Sequence, residues 1–158
     1  MGEERTRALV LRVGLVVLGV PALIIGVWAA FMPRSFYEDF PGLGRMWVAP
    51  DGPYNEHLVR DVGELNLALF VVTAVAAFTL VPMLVRAVLA GWFVYSVPHL
   101  VYHLRHMDPF STDDQVSIAG SLALVPILAV VLFVIDLRAP SGTSSTGSSP
   151  APEIAARP

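Results

Sequence analysis

The stretch from Val10 to Met32, "VLRVGLVVLGVPALIIGVWAAFM", constrains this chain more than any other part of it. Beyond Arg12 it carries no charged side chain, so a helix of this text offers water no polar face. Roughly 20 such residues cross the hydrocarbon of a bilayer. The run is also too long for the ~7–15-residue apolar segment of a signal peptide. Three more apolar runs follow: Leu65 to Val85, Ala87 to Val101 and Val116 to Ile135. The expected fold is therefore all-α: a polytopic membrane protein with four transmembrane helices in an antiparallel bundle over residues 1–138. The helices are expected near 6–32, 54–82, 84–107 and 113–137. Composition agrees, with 55% hydrophobic and 15% charged residues, against roughly 25% charged in a soluble domain.

The segments between the runs carry their own signals. The connection "PRSFYEDFPGLGRMWVAPDGP", residues 33–53, is rich in proline and aromatic residues. Its Phe36, Tyr37, Phe40 and Trp47 read as an extracytoplasmic cap lying on lipid headgroups. Asp51 or Gly52 is expected to cap the second long helix, and Ser111 or Thr112 the fourth. Residues 139–158, dominated by Ser, Gly, Pro, Ala and Thr, read as a disordered cytoplasmic tail. Six arginines (5, 7, 12, 86, 138, 157) fall on the side of the termini and four (34, 45, 60, 105) on the other. That asymmetry places both termini in the cytoplasm. Membrane lipids are the expected surroundings. A net charge of −3 with no basic tract argues against a nucleic-acid partner. The absence of cysteine excludes disulfides, thiolate metal ligands and cysteine nucleophiles.

Two polar stripes stand out. In "SVPHLVYHLRHMDPF", His99, His103 and His106 follow one another at intervals of four and three, which places them on one helical face. In "EHLVRDVGELN", His57, Asp61 and Glu64 repeat that spacing. A short hinge separates the two helices, so they are expected to be antiparallel neighbours. Measured from the hinge at 1.5 Å per residue, Glu64 lies roughly 27 Å up, Asp61 about 31 Å, His103 about 25 Å and His106 about 30 Å. His99 is deeper, at roughly 20 Å, while His57 stands highest at about 37 Å. Asn66 is level with His103 at another angle.

Ionisable groups at membrane depth are expensive and usually face a cavity or a bundle interior. His99 is the costly one, a turn or more inside the apolar span. His57 and His106 read equally well as solvated helix ends. The expectation is an outward-facing pocket of histidine and acid between the second and third spans. His99, His103, Glu64, Asp61 and Arg60 would be its ligand- or cofactor-binding residues. As a metal site it would draw on His99, His103, His106, Glu64, Asp61 and His57, suited to a transition metal, and heme on His99 or His103 is a further possibility. The pocket would bind a small ligand, metal or redox cofactor, with the protein an accessory subunit of a larger complex or a homo-oligomer. Two other functions compete: a structural or assembly partner without chemistry, and a membrane enzyme acting on a lipid or quinone with His103 and Glu64 as acid and base. No phosphate-binding loop, nucleophile elbow or metalloprotease helix is present to decide for an enzyme.

"RDVGELNLALFVVTAVA" also resembles the Arg-x-x-Gly-x-x-x-Leu signature of small bacterial four-helix membrane proteins in the DoxX-like and DUF4345-like grouping. The matching residues are Arg60, Gly63 and Leu67. The resemblance implies four spanning helices in the bacterial inner (plasma) membrane and a redox or accessory role, with no catalytic residues to carry over. The high Ala, Val, Leu and Arg content with the "FYEDFPG" loop resembles an actinobacterial member of no assigned role.

Overall fold

The computed structural model describes residues 2–138; the tail expected to be disordered lies outside the described residues. The fold is all-α. Its elements are α1 (Gly2–Phe31), a short α2 (Pro33–Asp39), α3 (Glu56–Thr79), α4 (Pro82–Arg105) and α5 (Thr112–Leu137). Between α2 and α3 lie a two-stranded hairpin, β1 (Pro41–Gly42) with β2 (Arg45–Met46), and a 3-10 turn over Ala49–Asp51. The four long helices are each long and apolar enough to cross a membrane, with mean hydropathies between 1.5 and 2.8 over their most apolar windows.

Local chemistry sets the helix ends. Asn55, rather than Asp51 or Gly52, caps α3, its side chain accepting from the Leu58 N–H at 3.2 Å. Ser111 caps α5 by accepting from the Asp114 N–H, also at 3.2 Å. The hinge between α3 and α4 turns at Leu80, in the left-handed region at φ 49°, and Pro82 opens α4, where its missing N–H is not needed.

The helices pack as two pairs, α1 along α3 and α4 along α5, while α3 meets α4 and α1 meets α5 over much shorter stretches. The motif Arg60–Gly63–Leu67 explains the first pair. A Cβ on Gly63 would sit 2.3 Å from the Ala30 nitrogen, and one on Gly26 would sit 2.8 Å from Leu67. Only hydrogen at these positions allows so close an approach. Arg60 then donates to the Ala30 carbonyl near the end of α1, a group with no partner inside its own helix. The signature residues thus clamp α3 onto α1.

The pairs close on each other toward the α3–α4 hinge. Leu15, Leu18, Ala76, Val85, Leu89 and Leu132 form the core there. Trp92 Nε1 donates to Thr73 Oγ1 at 3.0 Å, tying α4 to α3 through a buried polar pair. At the same end Asp136, 2% exposed, accepts from Arg86 Nε at 2.7 Å and from Arg7 Nη1 at 3.4 Å. One carboxylate therefore joins α1, α4 and α5.

At the opposite, loop end the connection differs from the expected headgroup cap. Phe36 is buried with Ala29 and Val59, and Trp28, Phe40, Val48 and Tyr54 pack against them. The rings meet at centroid distances of 4.8 Å for Phe36–Phe40 and 5.9 Å for Trp28–Phe36. Tyr37 turns to the backbone, its hydroxyl donating to the Gly52 carbonyl at 2.6 Å. Seven residues of α2 and the hairpin fold the aromatics inward, because ring burial against α1 and α3 outweighs interfacial solvation.

Candidate functional site

Where the helix pairs diverge, beneath this aromatic roof, lies a cavity of about 550 Å³, within the range of small-molecule sites. Every long helix contributes to it. Ala22 and Ile25 of α1 and Leu124 and Leu128 of α5 give apolar wall, and Phe36, Phe40, Trp47 and Val48 close the top. The roof is strapped to α5. Asp114 Oδ1 accepts from Trp47 Nε1 at 2.8 Å and from Arg45 Nη1 at 3.0 Å, and Arg45 also reaches Ser117 Oγ at 3.0 Å.

Polar groups gather on one side. His99 and His103 of α4 line the cavity with Asn66 of α3 and Asp51 of the 3-10 turn. The four-residue spacing keeps Tyr95, His99 and His103 on one face of α4. The His99 ring stacks on Tyr95 at 5.6 Å and meets His103 edge to face at 4.7 Å. His103 Nδ1 is buried and has no hydrogen-bond partner among the described residues. The nearest acid, Asp51 Oδ2, stands 3.9 Å away, within electrostatic reach but too far for a hydrogen bond. Burial pushes the Asp51 carboxyl above its ordinary range, and His103 and His106 pull it part of the way back. Asn66, 5% exposed, spends its Nδ2 on the Val62 carbonyl at 2.8 Å and turns to the cavity beside Tyr95.

Of the residues singled out from the sequence, His99 and His103 reach this cavity, whereas Glu64, Asp61, Arg60, His57 and His106 are not on its wall. Glu64 is exposed. His57, its side chain 88% exposed, lies 3.5 Å from Asp61 in a pair along α3. Arg60 is held by Ala30 and by Glu56 at 2.8 Å. His106 turns back on its own helix end, Nδ1 donating to the Tyr102 carbonyl at 2.7 Å with its ring stacked on Tyr102. Among the described residues no group of three or more His, Asp or Glu side chains is placed to hold a metal ion.

The expected pairing of His103 with Glu64 or Asp61 fails for a geometric reason. A short hinge makes α3 and α4 neighbours at the hinge, but the Gly63 clamp turns α3 toward α1. The face of α3 left toward the cavity is Leu58–Val62–Asn66, rotated away from the His57–Asp61–Glu64 stripe. The acid beside His103 comes from the loop instead. Its signal was the turn "APDGP", which puts a carboxylate at the same end as the histidines.

Comparison with known proteins finds no matching family model, no matching curated protein and no matching solved structure. Fold and site together define a class: a helical bundle with four helices of membrane-spanning length and character, and a roofed cavity with one polar side.

Proposed function

We propose that this is an integral membrane protein that crosses the bilayer four times, termini in the cytoplasm, and binds a small molecule in the loop-end cavity. The polar part of the ligand meets His99, His103 and Asp51 on the outward side. The arginine asymmetry supports the orientation. The observation that carries the binding reading is His103 Nδ1, buried on the cavity wall without a hydrogen-bond partner among the described residues. Such an orphan costs about 1–3 kcal/mol in a fold with nothing to satisfy it, and it is where a ligand group gains most.

Native mass spectrometry of the gently solubilised protein tests this. Wild type is expected to carry a small-molecule adduct. The adduct is lost in His103→Leu and in Ser96→Phe, which places a ring at a buried position on the cavity wall. Bare protein mass in wild type and variants alike overturns the reading.

A further inference from the structure

We propose that the occupant is a neutral, single-chain amphiphile with a hydroxyl or carbonyl head, taken up sideways from the lipid phase. This rests on the reading of the cavity as a binding site and names the chemistry of its ligand.

The head follows from the charges on the wall. Among the described residues no lysine or arginine lines the cavity, and Asp51 is the one formally charged side chain on its wall. A carboxylate or phosphate placed there meets no counter-charge and faces an acid, in surroundings where an unpaired charge is strongly disfavoured. Two imidazoles and a carboxamide, by contrast, supply donors and acceptors without requiring charge. They match a hydroxyl, which donates and accepts, or a carbonyl, which accepts.

The chain follows from the shape. Apolar lining runs on α1 from Ile25 to Val17 and, interrupted only by Ser121 among the described residues, on α5 from Ile118 to Leu128. At 1.5 Å per residue these stretches are about 12 and 15 Å long, enough for one medium-length alkyl or isoprenoid chain directed toward the hinge. Trp92 lines the cavity hinge-ward of the histidines, about 10 Å along the helix from His99.

The route follows from exposure. Leu58 and Val62 on α3 and Tyr95 on α4 line the cavity yet are 59%, 38% and 42% exposed. They flank an opening between helices that pack little against each other at this end. The top is covered by the strapped aromatic roof. A ligand therefore reaches the cavity across the helix faces, from the hydrocarbon side.

The test uses the full chain in phosphatidylcholine nanodiscs and reads tryptophan quenching by ω-brominated chains. The probes are bromoundecanol, bromoundecanoate and bromoundecyl-trimethylammonium, at about pH 8 so that the carboxylate is ionised. The expected result is saturable quenching by the alcohol, abolished in Ser96→Phe, with at least roughly tenfold weaker binding of both charged probes. Binding of the carboxylate or the ammonium as tight as the alcohol overturns the neutral-head inference while leaving the cavity a binding site. No saturable quenching by any probe, with an adduct still seen by native mass spectrometry, overturns the single-chain inference. No saturable quenching and no adduct removes both readings.

Discussion

The two ends of this bundle use similar side chains to opposite effect. At the hinge end one buried carboxylate, Asp136, accepts from two arginines over a closed core. The one buried nitrogen there without a partner among the described residues, Arg7 Nε, belongs to a guanidinium already held by Asp136. At the loop end one carboxylate, Asp51, stands near two histidines without hydrogen-bonding either, beside open volume. Satisfied polar groups in a packed region hold a fold together. Unsatisfied polar groups beside a cavity destabilise it slightly and leave partners free for something else. The contrast supports the proposal that the hinge end holds the fold while the loop end binds.

The largest expected effect lies at the hinge end. Asp136→Leu strands two guanidiniums and should cost about 2–4 kcal/mol, somewhat less than a fully buried pair because the arginines can reorient toward water. Their side chains are 31% and 42% exposed. Equilibrium unfolding in mixed micelles measures this, and a loss under about 1 kcal/mol breaks the comparison.

Next comes the clamp beside the cavity. Gly63→Ala drives a methyl into the Ala30 backbone and should cost about 1–3 kcal/mol through overpacking. Gly120→Ala, with nothing within 4 Å of the added carbon, should be neutral or gain up to about 1 kcal/mol from helix propensity. Equal effects of the two substitutions, in the same unfolding assay, would mean that α3 does not rest on α1 through Gly63.

The smallest effect is that of Asp51. Burial raises its carboxyl, so the folded state favours the protonated form. Its stabilising contribution is complete below the unfolded value of about 3.9 and is lost as pH rises through the higher folded value. Asp51→Asn should therefore equal or slightly exceed wild type near neutral pH, by less than about 1 kcal/mol. Wild type should gain on the variant as pH falls toward about 4. Melting curves across that range check the sign, and an Asn variant that is clearly weaker at neutral pH would make Asp51 a structural partner of His103.

The four long helices were legible because apolar runs of spanning length, bounded by prolines and caps, dictate them almost alone. Ser111 as a cap and the apolar setting of His99 were equally local signals. The cavity was only half legible. His99 and His103 could be picked out by spacing and depth, but their neighbours depended on how α3 is rotated. That rotation is decided by Gly63 and Gly26 against α1, a contact between residues far apart in sequence. In the sequence Asp51 reads as a helix cap because turn acids usually are, and Asp136 gives no sign of its role because a lone acid at the end of an apolar run resembles a solvated terminus. In both cases the missing information was which distant arginine or histidine the chain brings alongside.

The most direct test of the contrast between the two ends is the stability of His103→Leu after bound molecules have been extracted. Replacing an unpartnered buried nitrogen with an apolar side chain removes a cost of about 1–3 kcal/mol, so the extracted variant should melt at or above the temperature of extracted wild type. If His103→Leu instead melts as far below wild type as Asp136→Leu does, then His103 is part of the scaffold. The loop end would then be no more a binding site than the hinge end.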